Sequence, residues 1–262
     1  MIEVGQSQLH NGDAYEVLAG LDITADAIIS DPPFGSTSIE WDQQGLDYVR
    51  FWELVEAKTK QEANYVLFGC GRFSFDLVKS KWDWFRYDII WQKTTVMGFL
   101  NANLMPLRSH EGVYVFGQPG KQKSATYNPI KTHNPRNVGK TFGNRSQRII
   151  QVYGEKETMP FVSDGWMNPR SVLTFSLDYC SRLRGNHPTQ KPVALMEWLV
   201  STYTNEGDIV IDPFMGSGTT GVACARLKRR FIGIEKSPEH FETAVARVSE
   251  ESSRASEPTL FD

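Results

Sequence analysis

Two stretches of the chain end an apolar run on an acid followed by proline: "DAIISDPPFG" at 26–35 and "DIVIDPFMGSGTTG" at 208–221. In the first, Asp31 brings a carboxylate, Pro32 and Pro33 bring carbonyls with no N–H, and Phe34 brings a flat apolar ring. Proline fixes φ and removes a donor, so this corner is rich in rigid acceptors. Its complement is an NH₂ group with two protons to give. On a nucleobase such an amine is a poor nucleophile, because its lone pair is delocalised into the ring. Accepting both protons in hydrogen bonds pyramidalises the nitrogen and frees the lone pair for a methyl group. Phe34 would stack on the base once it is turned out of the duplex. The same tetrapeptide also reads as an ordinary turn followed by a core phenylalanine.

In the second stretch a strand leads through a glycine-rich turn into a helix, which aims backbone N–H groups and a positive helix end at a ligand on the carboxyl edge of a sheet. Gly216, Gly218 and Gly221 satisfy G-x-G-x-x-G, and Glu235 closes the next strand at about the 20-residue spacing where an acid takes ribose hydroxyls. A dinucleotide-dependent oxidoreductase is therefore one reading. A Walker loop is not, since no Lys precedes Thr219 or Thr220. Asp212, directly before the turn, disfavours an anionic pyrophosphate and suits a sulfonium cation, which tilts the reading to S-adenosylmethionine. As a strand-end acid it also serves as a cap or turn residue.

Taken together, these residues resemble the beta-class S-adenosylmethionine-dependent DNA amino methyltransferases. "SDPPF" looks like their catalytic motif, "DPFMGSGTTGVA" like their cofactor loop, "HPTQKP" at 187–192 like the segment preceding that loop, and "RSHEGVYVFG" at 108–117 like a strand motif. Catalytic motif, recognition region, then cofactor loop is the order of that class, and the likeness covers most of 10–117 and 186–248. The resemblance implies that Asp31, Pro32 and Phe34 hold and activate the target amine, with Pro33 shaping the turn. It implies that Phe214, Gly216, Ser217 and Gly218 pack on the methionine portion beside Asp31 and Asp212, that Thr219 or Thr220 touches its carboxylate, and that Glu235 binds the ribose. Asp13, in "GD" at 12–13, would meet the adenine, while His187, Thr189 and Lys191 would close over the cofactor carboxylate. Base flipping and direct transfer to the N6 amine of adenine in a specific duplex sequence are implied by Asp in the first motif position, with cytosine N4 as the alternative. Dimers are frequent among relatives of this class, which points to a homodimer, while a companion restriction enzyme and the recognition sequence lie beyond these residues.

The elements that must position these residues follow from the apolar runs. Strands are expected near 26–30, 65–69, 87–92, 112–116, 209–212 and 231–235, and helices near 45–61, 72–80, 192–204, 219–228 and 238–250. Near-continuous apolar strands are covered on both faces, so the expected fold is a doubly wound, mostly parallel α/β sheet of Rossmann-like type. The stretch 118–186 breaks this rhythm and is expected to be an inserted target-recognition region, with 1–117 and 187–250 forming the catalytic domain and 251–262 a tail.

Charge supports the division. Net charge is −3, yet 118–191 holds twelve Lys and Arg against four Asp and Glu, a net +8 that leaves −11 elsewhere. Lys121, Lys123, Lys131, Arg136, Lys140, Arg145 and Arg148 follow one another with no acid between them, and are the expected phosphate contacts. Cys70, Cys180 and Cys224 show no metal spacing and read as reduced thiols, and the five histidines have no ligand spacing, so no metal is expected. The start lacks a signal-peptide pattern and no run suits a bilayer, so a cytoplasmic location is expected. The end "EPTLFD" faintly resembles the Leu-Phe peptides that dock on sliding clamps. A DNA-binding module without catalysis is the third class kept open.

Overall fold

The computed structural model describes residues 1–35, 45–142, 160–176 and 190–256. It falls into two compact units, Met1–Asn128 with Ser171–Asp262, and Pro129–Arg170.

The first unit opens with β1 (Ile2–Val4) and β2 (Ser7–Asn11), then α1 (Ala14–Gly20), β3 (Ala25–Ser30), α2 (Tyr48–Ala57), β4 (Thr59–Gly69), α3 (Gly71–Ser80), β5 (Phe85–Met97) and β6 (Arg108–Phe116). The second unit holds β7 (Thr132–His133), β8 (Thr141–Phe142), β9 (Phe161–Val162) and β10 (Trp166–Met167). The chain then returns through β11 (Val172–Phe175), α4 (Val193–Tyr203), β12 (Ile209–Asp212), α5 (Thr219–Arg226), β13 (Arg230–Glu235) and α6 (Pro238–Ser256). One nine-stranded sheet runs β1-β2-β13-β12-β3-β4-β6-β5-β11. Its pairings are parallel except β1–β2, β4–β6 and β5–β6, so the expected mostly parallel, doubly wound sheet is borne out.

The apolar runs are continuous because both faces of the sheet are covered. Along β3, Ala27 and Ile29 enter the cluster made with Leu195 and Leu199 of α4, Val222 and Ala223 of α5 and Val248 of α6. Ile28 points the other way, to Leu18 of α1, Phe51, Trp52 and Val55 of α2 and Leu77 of α3. The strand period of two places alternate residues on opposite faces, and here both faces are core.

All six expected strands and all five expected helices are present. The sequence reading missed β1, β2, α1 and β11. "IEV" and "SQLHN" carry too few apolar residues to stand out, and β11 shows only part-buried Leu173 and Phe175 within a polar stretch. Helix α1 spans only seven residues, and is set by its cap: the Asp13 carboxylate accepts from the N–H of Tyr15 at 3.0 Å and of Glu16 at 3.4 Å.

The compact second unit is narrower than the stretch 118–186. Gln118–Asn128 belongs to the first unit, where Asn128 Nδ2 donates to the carbonyls of Ser201 and Thr204, and β11 joins the main sheet beside β5. Within Pro129–Arg170, β7 pairs with β10 and β8 with β9, both antiparallel. Lys131, Arg136 and Lys140 are exposed there. Lys121 pairs with Glu62 in the first unit and Lys123 is exposed, while Arg145 and Arg148 lie outside the described residues. Cys70 is half-buried and Cys224 buried, both as free thiols, and Cys180 lies outside the described residues. No helix among the described residues is long and apolar enough to cross a membrane.

Candidate active site

Sheet order reverses between β3 and β12. From β3 the chain steps outward to β4, and from β12 it steps the other way to β13, so the carboxyl ends of these two neighbours flank the switch point where ligands enter open α/β sheets. The two Asp-Pro strand ends are thus adjacent. A cavity of about 530 Å³ opens there, lined by residues that include Asp31, Pro33, Lys191, Asp212, Phe214, Gly216, Glu235 and Asp13.

The two aspartates differ in what they do. Asp212 is 3% exposed, and its carboxylate accepts from Ser30 Oγ at 2.6 Å, Thr220 Oγ1 at 2.6 Å and the Phe214 N–H at 3.1 Å. Burial lifts its pKa to about 6 against the pull of those three donors. It is chiefly a brace between β3, the turn and α5. Asp31 instead pairs through Oδ2 with the Lys191 ammonium, while Oδ1 is enclosed by protein and accepts no hydrogen bond. Burial raises the Asp31 pKa, with the Lys191 charge opposing. A buried acceptor with no donor is costly unless something fills it. The Phe34 ring lies 4.8 Å from that of Phe73, and Pro32 is buried, so the "DPPF" corner is fixed from behind.

The glycine turn is held open by backbone conformation. Gly216 has φ +52° with nothing within 4 Å of a would-be Cβ, whereas Gly218, at φ +77°, heads α5 and would set a Cβ 2.9 Å from that of Ala244. The N–H of Gly216 donates to Glu235 Oε2 at 3.0 Å, and the N–H of Ser237 to Oε1 at 2.7 Å. Glu235 therefore joins the turn to the end of β13, with its remaining lone pairs at the cavity wall. Burial raises its pKa against those backbone donors. Phe214 meets Tyr15 edge-on at 6.4 Å and stacks on Phe51 at 6.3 Å, placing an aromatic wall beside Asp13.

Several sequence-chosen residues have tasks of their own. Thr220 is committed to Asp212, and Thr219 and Ser217 are tied to Arg247, whose Nη1 reaches the Ser217 carbonyl at 2.5 Å, Ser217 Oγ at 2.9 Å and Thr219 Oγ1 at 3.2 Å. Lys191 is 8% exposed and sits between Asp31 and Glu111. His187 and Thr189 lie outside the described residues. The sequence reading missed Ser30, Arg247, Lys93 and Glu111. Glu111 was inside a quoted motif, but nothing in the order of residues says that it stands between Lys93 of another strand and Lys191.

A doubly wound sheet whose switch-point cavity brings a strand-end carboxylate beside a glycine turn is the arrangement of a Rossmann-like site for a nucleotide-type cofactor. A family model described as DNA methylase, for the N6 and N4 enzymes, matches residues 25–246, and the chain belongs to that family. The resemblance to the S-adenosylmethionine-dependent DNA amino methyltransferases is borne out, and the oxidoreductase reading is set aside. Similar proteins include the Type II methyltransferase M.HpaI of Haemophilus parainfluenzae, 48% identical over 85 residues that make up 32% of this chain and 27% of that protein. The Type II methyltransferase M2.DpnII of Streptococcus pneumoniae is 37% identical over 121 residues, 46% of this chain and 44% of its own. The chain thus matches less than half the length of these curated relatives. Among solved structures, the M1.HpyAVI–SAM complex aligns over 92% of this chain and 99% of its own, with 27% identity and a TM-score of 0.60. The cytosine-N4-specific PvuII DNA methyltransferase aligns over 96% and 93% with 18% identity and a TM-score of 0.64, a likeness of fold.

Proposed function

We propose that this chain is a site-specific DNA methyltransferase that moves a methyl group from S-adenosylmethionine to the N6 amine of adenine, turned out of duplex DNA. The observation that carries the reading is the Asp31 carboxylate, part-exposed at the wall of the cavity formed with the glycine turn and held there by Lys191.

The residues present fit the cofactor. The cavity of about 530 Å³ falls in the usual range for small-molecule sites, Gly216 leaves its wall open, and Asp13, Phe214 and Glu235 offer acid and aromatic partners, with Lys236 on the same wall paired to Asp13 at 3.5 Å. S-adenosylmethionine supplies, when bound, an electrophilic methyl group on a sulfonium. In this reading the Asp31 carboxylate would accept one amine proton and a carbonyl of the "DPPF" corner the other, aligning the nitrogen lone pair with that methyl group. As the N–C bond forms and the S–C bond breaks, the nitrogen must shed one proton. Asp31 is placed to receive it, and the burial that raises its pKa favours the transfer. Phe34 and Pro33 restrict the base to the plane that this geometry needs.

Asp in the first motif position supports adenine over cytosine. The exposed Lys131, Arg136 and Lys140, with Lys121, Lys123, Arg145 and Arg148, supply the phosphate contacts, and 118–186 is the target-recognition region in this reading. The test is transfer of labelled methyl from S-adenosylmethionine to duplex DNA of diverse sequence, followed by nucleoside analysis. N6-methyladenine is expected, with its loss in Asp31→Ala while S-adenosylhomocysteine binding persists. N4-methylcytosine would reverse the base assignment, and no transfer by the wild type would overturn the reading.

A further inference from the structure

The Asp31–Lys191 pair continues inward. Lys191 also pairs with Glu111 Oε2 at 3.4 Å, and Glu111 Oε1 accepts from Lys93. Side-chain exposure is 9% for Lys191, 13% for Glu111 and 5% for Lys93, so these three ions are nearly dry, while Asp31 at 29% reaches the cavity. Charges alternate from Asp31 through Lys191 and Glu111 to Lys93, and they sum to zero. Buried ions persist where each has a counter-charge and good geometry, and removing one partner strands the rest.

The strands fix these positions. Glu111 on β6 lies opposite Trp91 on β5, and Lys93 is two residues further along β5, on the same face of the sheet. Trp91 is anchored by its Nε1–H to the Phe175 carbonyl of β11 at 3.0 Å, and the Lys93 ammonium stands 4.9 Å from the Trp91 ring centroid. Lys191 itself is 5.0 Å from the Phe68 ring centroid. Four strands and the segment before α4 thus converge on the Lys191 ammonium and, through it, on Oδ2 of Asp31.

We infer that Glu111 and Lys93 are positioning residues for the reaction: they hold the Lys191 ammonium and, through it, fix the orientation of the Asp31 carboxylate at the cavity wall. The inference rests on the reading of Asp31 as the amine acceptor. Lys191 is hydrogen-bonded to Asp31 and paired at 3.4 Å with Glu111, so the two carboxylates fix the ammonium between them. Without the Glu111 charge Lys191 loses its second anchor, and the Asp31 carboxylate loses its fixed orientation. The charged and titratable groups around Asp31 are Lys191, Glu111, Lys93, Asp212 and, across the end of β4, Cys70 with the Arg108 that donates to its sulfur at 2.9 Å. Glu111 and Lys93 act on the Asp31 carboxylate with opposite sign.

The test is the pH dependence of kcat in Glu111→Gln and Lys93→Met, with KM and S-adenosylhomocysteine affinity measured alongside. Glu111→Gln leaves two ammonium groups against one carboxylate, so the acid limb moves to lower pH while the plateau kcat falls by about a hundredfold, the scale of a small misplacement at a reacting atom. Lys93→Met leaves two carboxylates against one ammonium, so the acid limb moves to higher pH. Cofactor affinity is unchanged in both. The double variant restores neutrality, so its acid limb returns toward the wild-type position, while the fall in kcat remains because the Glu111 carboxylate is still absent. Should one single variant fail to fold, the direction of the shift in the other decides. An acid limb that stays in place, or a double variant worse than either single, overturns the inference while an active wild type leaves the proposed function standing; an inactive wild type overturns both.

Discussion

Asp31 and Asp212 share a sequence context and a sheet edge, yet one has an idle oxygen and the other is saturated. The difference is only in what surrounds them: Ser30, Thr220 and the Phe214 N–H converge on Asp212, and Lys191 takes one side of Asp31. Asp212 should be visible in the stability of the protein. Its pKa rises from 3.8 to about 6 on folding, so between those values the folded state holds a proton that the unfolded state has lost. Stability then falls as pH rises from about 4 to about 6, by up to ~3 kcal/mol, and levels off above. Asp212→Asn keeps an acceptor for Ser30 or Phe214 but cannot ionise. Thermal unfolding across that window should show a flatter slope for the variant, and an unaltered slope would assign the titration to another group.

At the level of elements, the turn between β12 and α5 separates packing from binding within three residues. Gly218 is pressed against Ala244 of α6, and Gly216 faces open space. Gly218→Ala should cost about 1–3 kcal/mol in urea unfolding, through a positive φ and a clash together. Gly216→Ala should cost less, about 1 kcal/mol for the left-handed backbone alone, but weaken S-adenosylhomocysteine binding, because its methyl enters the cavity wall. Equal effects of the two on stability and binding would contradict this division. The G-x-G-x-x-G spacing was legible, and so was the strand-turn-helix around it. The partner of Gly218 was not, since Ala244 lies on a helix 26 residues away in sequence, and helix patterning does not say which residue of one helix meets which of another. Arg247 was hidden for the same reason.

Across the whole molecule, a chain of net charge −3 carries a strongly basic stretch, and Lys131, Arg136 and Lys140 stand exposed within the compact unit Pro129–Arg170. Replacing these three by Ala should weaken DNA binding evenly across sequences and lower the slope of log K against log salt by up to about 3, near 0.9 for each phosphate that is no longer neutralised. A fall in affinity with the slope intact would mean that they do not touch phosphates. The tail proposed for a sliding clamp falls within 257–262, outside the described residues.

The sequence by itself determined the class of sheet, the order of its catalytic and cofactor motifs, and the family, because apolar periodicity and turn chemistry are local and the motifs are short and contiguous. Only the tertiary structure decided which charges meet. Strand pairing sets β6 beside β4 and β5 beside β6, and thereby places Lys93 and Glu111 behind Lys191 and Asp31. Distances between side chains on four separate segments are a property of that register, and no spacing along the chain encodes them.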